Sequence, residues 1–211
     1  MTLLRKFFNQ TRKPEGFLGK LMLSGMNSGH AKLADWGFTH LPELTVSAAV
    51  DLGCGGGRNA GELLKKYPTA QVTAIDYSPL CVEKATRYNR AMIAAGRCTV
   101  RQGDVSNLRL PESSFDLATA FETVYFWPGL EKCFAQAAKV LKRGGTFCGC
   151  FYVQGGCKRT DWFIRHLYQP KGFFTPPYET ETSLRQRLSA LYSTVNVTSV
   201  EGIGCFRCVK G

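Results

Sequence analysis

The chain has 211 residues, of which 44% are hydrophobic, and its formal net charge is +11. This length accommodates one domain of ordinary size with appendages, and the composition excludes an intrinsically disordered chain. Because no apolar run approaches the roughly 18 residues that a membrane span requires, we expect a soluble globular protein without a membrane partner.

The basic surplus is spread over both ends of the chain and forms no polybasic tail. Lys and Arg side chains that neutralise phosphates give strong nonspecific binding to nucleic acid, so RNA stays an alternative partner. A solvated basic surface explains the same charge. Polar residues interrupt the N-terminus before an export signal can form, and nine cysteines are an odd number. We therefore expect a cytoplasmic protein with reduced, mostly buried thiols.

Residues 1–45 form a basic, aromatic-containing segment that several glycines interrupt. We expect this segment to be partly helical and to act as a cap or lid. From Val46 the pattern changes to short β-rich runs that alternate with amphipathic stretches, which is typical of a parallel sheet covered by helices. Residues 46–211 are therefore predicted to form one α/β domain.

Short apolar runs in this domain predict buried strands, and the amphipathic stretches between them predict helices. The predicted strands are Val46–Leu52, Gln71–Ile75, Cys98–Gln102, Phe115–Phe121 and Thr146–Val153, followed by a hairpin of Thr194–Val200 and Ile203–Val209. The predicted helices are Asn59–Tyr67, Pro79–Ala95 with Ser78 as N-cap, Leu130–Leu141, Asp161–Tyr168 and Thr182–Tyr192.

A glycine-rich segment, Val50–Asn59, lies where the first strand should turn into the first helix. Gly53, Gly55 and Gly57 let the backbone approach a ligand closely, and the helix N-terminus adds free N–H groups. Their spacing differs from the G-x-G-x-x-G of dinucleotide sites, which disfavours an NAD-dependent oxidoreductase. Asp51 at the loop entrance disfavours a pyrophosphate and favours a ligand that carries positive charge.

These residues resemble the first motif of the class I S-adenosylmethionine (SAM)-dependent methyltransferases, and the resemblance extends over about residues 46–152. It implies SAM as the cofactor, S-adenosylhomocysteine (SAH) as the product and methyl transfer as the activity. The expected fold is a Rossmann-like seven-stranded sheet of order 3-2-1-4-5-7-6, with helices on both faces and the last strand antiparallel.

The resemblance implies cofactor contacts at successive strand ends. Asp76 would accept hydrogen bonds from the ribose hydroxyls, with Tyr77 lying against adenine. Asp104 would accept a hydrogen bond from the adenine amino group, and the N–H of Val105 would reach a ring nitrogen. Each acid taken alone is as readily a helix cap. The remaining residues predicted on the cofactor side are Asp51, Gly53, Cys54, Gly55, Gly57, Phe121 and Glu122.

Two residues are predicted to act on the methyl acceptor. Tyr125 follows the fourth strand, where related small-molecule methyltransferases often carry a histidine, so it would orient or deprotonate the acceptor. A pocket-wall aromatic is the competing interpretation. His30 belongs to the N-terminal segment, which in similar enzymes closes over the methionine end of SAM, although a lone histidine is more often structural. Positioning the acceptor about 3 Å from the methyl group can suffice without a base.

Aromatic residues gather after the fourth strand and in an expected acceptor-side insertion at about residues 154–180. They favour a small apolar or aromatic acceptor, and core packing is the competing explanation for at least half of them. They are Tyr125, Phe126, Trp127, Trp162, Phe163, Tyr168, Phe173, Phe174 and Tyr178.

Two other classes stay open: an RNA methyltransferase that uses the basic surface, and a non-catalytic SAM-binding scaffold protein. A four-thiolate metal site was considered for Cys148, Cys150, Cys205 and Cys208. In a regular strand the last two point to opposite faces, so we expect no metal. We expect a monomer or a homodimer.

Overall fold

The computed structural model of the protein describes residues 31–153, 161–162, 165–166, 181–200 and 202–211. Most of the predicted N-terminal cap and nearly all of the predicted insertion lie outside these residues. So do His30 and five of the aromatic residues that were assigned to the acceptor pocket, namely Phe163, Tyr168, Phe173, Phe174 and Tyr178.

The described part of the chain alternates strands and helices as the sequence predicts. The strands are β1 (Ala48–Leu52), β2 (Gln71–Asp76), β3 (Cys98–Gln102), β4 (Phe115–Phe121), β5 (Leu141–Tyr152), β6 (Thr194–Val200) and β7 (Ile203–Val209). The helices are α1 (Ala31–Phe38), α2 (Arg58–Lys66), α3 (Pro79–Tyr88), α4 (Arg90–Ala94), α5 (Leu130–Val140) and α6 (Glu181–Ser189). Short 3-10 turns span Val105–Asn107 and Val124–Phe126.

The strands form one sheet in the order β3-β2-β1-β4-β5-β7-β6. The strands from β3 through β5 pair in parallel, whereas β7 runs antiparallel to both β5 and β6. The predicted order and the antiparallel strand are confirmed. This order places β1 beside both β2 and β4, so the ends of these three strands meet at one edge.

Helices cover both faces of the sheet and produce two core layers. On one face, Phe134 of α5 and Leu188 of α6 pack with Phe147 of β5 and are completely buried. On the other face, Ala34 of α1 and Leu63 of α2 pack against strand residues, including those of β1 and β2. The parallel strands are therefore buried on both sides, which explains their nearly continuous apolar runs.

The predicted helix Pro79–Ala95 is wrong as a single element, because the chain forms two helices that break at Asn89. Its start is correct: Ser78 is the N-cap and Pro79 is the first helical residue. At the break, the buried side-chain amide of Asn89 donates to the carbonyl oxygens of Ala85 and Gly57. The residue at which the helix is interrupted therefore also contacts a distant loop.

The fifth strand was predicted to begin at Thr146, but β5 begins at Leu141. Leu141 pairs with Phe115, and regular pairing resumes at Thr146 after a register shift. Residues 142–145 bulge from the strand, with Gly144 at φ +75°. The first strand begins at Ala48 rather than Val46, and helix ends differ from prediction by one to three residues in α2, α5 and α6.

The described residues bear on two classes that the sequence disfavours, membrane-spanning proteins and proteins with a thiolate metal site. Across the described ranges, no helix combines the length and the apolar character that crossing a membrane demands. The eight cysteines in the described residues are free and buried. Cys148 and Cys205 lie on one face of the sheet with Sγ atoms 3.8 Å apart, whereas Cys208 belongs to the core layer of the other face.

Candidate functional site

The loop between β1 and α2 lies at the sheet edge where β1, β2 and β4 end. Its three predicted glycines all have left-handed backbone angles, with φ of +79° at Gly53, +50° at Gly55 and +84° at Gly57. The N–H groups of Gly53 and Cys54 donate to the carbonyl oxygen of Ile75 at 2.8 and 2.9 Å. The loop is therefore anchored to the end of β2.

The surroundings of the three glycines differ. A Cβ atom on Gly53 would lie 2.0 Å from Oγ1 of Thr123, and one on Gly57 would lie 2.7 Å from Cα of Ala85. A Cβ on Gly55 would meet nothing within 4 Å. Packing therefore requires glycine at 53 and 57, whereas Gly55 borders open space that a ligand can occupy.

Asp76, the last residue of β2, holds the loop through its carboxylate. Oδ2 accepts the N–H of Gly55 at 2.8 Å, and Oδ1 accepts the N–H of Ser78 at 2.9 Å. Burial raises the pKa of Asp76, and these N–H bonds oppose the rise. The neighbouring Tyr77 is 54% exposed, so its ring is accessible beside this carboxylate.

Asp51 is the most deeply buried acid of the site, with 1% of its surface exposed. Oδ1 accepts a hydrogen bond from Oγ1 of Thr119 at 2.9 Å, whereas Oδ2 has no hydrogen-bond partner among the described residues. Burial raises the pKa of Asp51 to about 7, Thr119 lowers it and Asp76 raises it further. A cationic ligand group would supply the missing partner.

Arg58, the first residue of α2, lies beside the loop and was not among the residues predicted for the site. Its Nη2 atom forms an ion pair with Oδ1 of Asp35 on α1 at 2.5 Å. Its Nη1 atom is buried and has no partner among the described residues. Asp51 and Arg58 thus lie on either side of the loop of residues 53–57. Each has one buried side-chain atom without a hydrogen-bond partner among the described residues. The signal in the sequence was the position of Arg58 directly after the glycines.

Asp104 lies after β3, where the sequence analysis predicted it. Its Oδ1 atom accepts the N–H of Ser106 at 2.8 Å, which makes it the N-cap of the 3-10 turn that begins at Val105. One carboxylate oxygen of Asp104 therefore acts as a cap, and the contact with the adenine amino group stays a prediction. Nearby, a Cβ on Gly103 would lie 2.9 Å from Ile75 Cγ2, so glycine is required for packing.

Glu122 directly follows β4 in a left-handed conformation, with φ +56°. Its N–H donates to the carbonyl oxygen of Cys150 at 2.7 Å, and its Oε2 lies 3.4 Å from the hydroxyl of Tyr125. Left-handed backbone is costly for a residue other than glycine and clusters at functional sites. Phe121, just before it, is buried against Phe38 of α1.

The aromatic cluster after β4 is divided between the core and the site. Trp127 is a core residue: its ring stacks on Phe147 with centroids 6.4 Å apart, and its Nε1 donates to Oγ1 of Thr123. Tyr125 is also buried, at 6% exposure, but its hydroxyl reaches Glu122. Trp162 is exposed. Core packing therefore accounts for Trp127, as the competing interpretation predicted.

Cys54 lies within the glycine loop but is poorly suited to nucleophilic chemistry. It is buried, and burial together with the carboxylates of Asp76 and Asp51 raises its thiol pKa well above the usual value. Because the thiolate is the reactive form, Cys54 serves as a small apolar residue of the loop.

The loop lies within a segment of the chain that is similar to known proteins. Residues 49–145 match the family model described as a methyltransferase domain. A sterol 24-C-methyltransferase of Aspergillus fumigatus is 33% identical over 98 residues, which are 46% of this chain and 26% of that protein. A 2-methyl-6-phytyl-1,4-hydroquinone methyltransferase of Oryza sativa is 31% identical over 116 residues, 55% of this chain and 33% of that protein. The chain spans about a quarter to a third of the length of these relatives.

A solved structure matches the whole fold. The crystal structure of a SAM-dependent methyltransferase of Thermotoga maritima superimposes with a TM-score of 0.73 and covers 99% of this chain and 100% of its own. The two sequences are 17% identical. The likeness is therefore evidence for the fold, and the residues of the site have to carry the chemistry.

Proposed function

We propose that this chain, which carries a class I SAM-dependent methyltransferase domain, transfers the methyl group of SAM to a small, largely apolar molecule. The observation that carries the proposal is the unpartnered Oδ2 of Asp51 beside a glycine loop that borders open space at Gly55. A buried carboxylate oxygen without a partner is costly, and a cationic ligand removes that cost.

The amino-acid end of SAM matches the charges that flank the loop. It carries an ammonium, a carboxylate and a sulfonium. We assign the ammonium to Asp51, whose Oδ2 lacks a partner, and the carboxylate to Arg58, whose Nη1 lacks one. A pyrophosphate would face the Asp51 carboxylate and be repelled, which again disfavours a dinucleotide.

The adenosine end is assigned to the ends of β2 and β3. Asp76 would bind the ribose hydroxyls, and the exposed ring of Tyr77 would lie against adenine. Asp104 and Val105 would contact the adenine ring, with the carboxylate oxygen that does not cap the 3-10 turn available for the amino group. Cys54, Phe121 and Glu122 complete the predicted cofactor side.

When bound, SAM supplies a methyl group on a sulfonium that is already an activated leaving group. The protein therefore has to exclude water and orient the acceptor for in-line attack, in which the acceptor–carbon bond forms as the sulfur–carbon bond breaks. Tyr125 would orient a hydroxyl acceptor through its own hydroxyl, which lies 3.4 Å from Oε2 of Glu122. His30 is kept as a second candidate base.

Two of the relatives are named for largely apolar acceptors, whereas a third, a trans-aconitate 2-methyltransferase of Enterobacter, is named for a polar acid. A sterol and a phytyl-hydroquinone are both largely hydrocarbon, and the two relatives align over 46% and 55% of this chain. The segment that matches the methyltransferase-domain model, residues 49–145, contains the glycine loop, so this match bears more directly on SAM than on the acceptor. We therefore propose the acceptor class from these names together with the aromatic content of the chain.

Binding calorimetry with SAM and with SAH tests the cofactor assignment. We expect both to bind at micromolar Kd and the Asp76→Ala variant to bind both more weakly, because it removes the ribose contact and an anchor of the loop. Asp116→Ala is the matched control. Asp116 lies near the opposite end of the sheet, where it binds Lys142 and the N–H groups of Ser47 and Ala48. Absence of SAM and SAH binding by the unmodified protein would refute the proposal.

Isotopically labelled SAM incubated with a metabolite extract identifies the acceptor. We expect label in a small apolar product, detected by mass spectrometry. A parallel extract treated with ribonuclease separates the RNA alternative, because label that is lost with the RNA would identify an RNA methyltransferase. Binding of SAM without label in any fraction would favour the non-catalytic scaffold.

A further inference from the structure

Asn89 connects the cofactor loop to the neighbouring helix pair. It is 3% exposed, and its Nδ2 atom donates to the carbonyl oxygen of Gly57 at 2.9 Å and to that of Ala85 at 3.1 Å. The first bond joins the last glycine of the loop to a residue 32 positions later in the chain. Asn89 lies between the end of α3 and the start of α4, so this bond is made at the point where the helix is interrupted.

The Gly57 carbonyl sits at the start of α2, where the chain has no side-chain cap. Gly57 is the N-cap and has no side chain of its own, so the helix begins without the usual serine or aspartate bond. The carbonyl oxygen accepts the N–H of Gly61 at 3.2 Å in addition to the amide of Asn89. Two donors from different elements therefore fix its direction.

Fixing this carbonyl also fixes the next N–H. A trans peptide is planar, and its C=O and N–H point in opposite directions. Asn89 holds the Gly57 oxygen towards α3, so the N–H of Arg58 in the same peptide points away from α3. The first N–H groups of a helix have no intrahelical acceptor and are free to bind a ligand. This N–H belongs to the residue whose Nη1 also lacks a partner.

We propose that Asn89 is a positioning residue for the cofactor: by bonding the Gly57 carbonyl, it aims the Arg58 N–H at the carboxylate of SAM. This inference rests on the proposed function. Close packing supports it, because a Cβ on Gly57 would meet Ala85 and Asn89 at 2.7 Å, and a Cβ on Gly61 would lie 3.1 Å from Asn89 Oδ1. The loop and the asparagine thus fit each other directly.

Two substitutions separate positioning from packing. Asn89→Ser supplies a hydroxyl that can bond the carbonyl four residues earlier, that of Ala85, but its side chain is too short to reach Gly57. Asn89→Asp keeps the shape of the side chain but removes its N–H donor. The carbonyl oxygens of Gly57 and Ala85 would then face a carboxylate oxygen. We expect Asn89→Ser to lower Tm, because it removes a buried hydrogen bond, and to raise the Kd of SAH about tenfold, and Asn89→Asp to raise that Kd at least as much.

Leu188→Ala is the matched control, because this buried leucine lies on α6, in the core layer of the opposite face. It should lower Tm and leave the Kd of SAH unchanged. Hydrogen exchange supplies a second readout: amides of residues 57–61 should exchange faster in Asn89→Ser than in the unmodified protein or in Leu188→Ala. If Asn89→Asp fails to fold, Asn89→Ser decides the outcome.

The results also separate this inference from the proposed function. If the unmodified protein binds SAH and Asn89→Ser binds it with the same Kd, Asn89 is only a packing residue and the inference is overturned. An increase in Kd no larger than that of Leu188→Ala overturns it too. If the unmodified protein binds neither SAM nor SAH, the proposed function itself fails.

Discussion

The hydroxyl of Thr119 donates to Oδ1 of Asp51 at 2.9 Å across two adjacent strands and leaves Oδ2 of the same carboxylate without a partner in the described residues. The two residues are paired in register on β4 and β1. One hydrogen bond is too little to offset the burial of a charge, and burial raises the pKa of Asp51 to about 7. The free protein therefore holds this acid partly protonated near neutral pH.

This raised pKa predicts that Asp51 makes the free protein less stable as pH rises. The folded state binds a proton more tightly than the unfolded chain, so the stability contribution is complete below the unfolded pKa near 3.8 and is lost as pH rises towards 7. We expect the difference in unfolding free energy between the unmodified protein and Asp51→Asn to fall by up to about 4 kcal/mol between pH 4 and pH 8.

Urea unfolding of both proteins across this pH range measures the difference. Comparison with Asp51→Asn cancels the titration of all other groups, so only the change with pH matters and not the constant cost of the substitution. A difference that stays flat from pH 4 to pH 8 would show that the pKa of Asp51 is not raised.

Cofactor binding should show the opposite dependence on pH. If Asp51 pairs with the ammonium of SAH, the carboxyl has to lose its proton, so the affinity rises with pH until Asp51 is ionised in the free protein. We expect the Kd of SAH to fall by up to about tenfold per pH unit below pH 7 and to level off above it. Calorimetry in buffers of different ionisation enthalpy should detect proton release at pH 6, and Asp51→Asn should release none.

Thr119→Val removes the donor and keeps the shape of the side chain. Because the Thr119 bond lowers the pKa of Asp51, its loss should move the midpoint of the SAH-binding pH profile upward. Oδ1 of Asp51 then also lacks a partner. We therefore expect the free energy of unfolding at pH 8 to fall by about 1–3 kcal/mol. An unchanged midpoint would mean that Thr119 has only a packing role.

Arg58 forms an ion pair with Asp35 of α1 and is also the residue that we assign to the carboxylate of SAM. Arg58→Gln should weaken SAH binding about tenfold, since it removes a charge-assisted bond to the carboxylate. Asp35→Asn should not weaken it, because the arginine is then released from its competing partner. Calorimetry on the two variants makes the comparison, and equal weakening by both would assign Arg58 a role in holding α1.

The parts of the fold that local patterns determine were predictable from sequence. The bounds of β3, β4, β6 and β7 match the prediction because apolar runs and turn residues mark them directly. The break at Asn89 was not predicted, and the contact made there, with the Gly57 carbonyl 32 residues away, is not visible in local sequence. The bulge in β5 escaped for a similar reason, since the pairing of Leu141 with Phe115 is not visible in the sequence.

The positions of site residues were predictable only where these residues lie at or directly after the end of a strand. The resemblance placed Asp51, Asp76 and the glycines at the edge where they lie, but their binding roles remain predictions. Thr119 and Arg58 were missed, since a threonine within an apolar strand carries no local sign that it faces an acid 68 residues away. Trp127 was grouped with the pocket aromatics, although its neighbours in space are Phe147 and Phe134.

Gly55 permits a test in which stability and binding separate. Gly55 and Gly96 both have positive φ, and a Cβ on either would meet nothing within 4 Å. Alanine at either position should therefore cost a similar backbone strain, about 1–2 kcal/mol of unfolding free energy. The two sites differ in what they border, since Gly96 precedes β3 and Gly55 borders the proposed cofactor. We expect Gly55→Ala to abolish SAH binding and Gly96→Ala to preserve it. If Gly55→Ala binds SAH normally, the space beside Gly55 is not where the cofactor lies, and the assignment of this loop has to be abandoned even if SAM binds elsewhere.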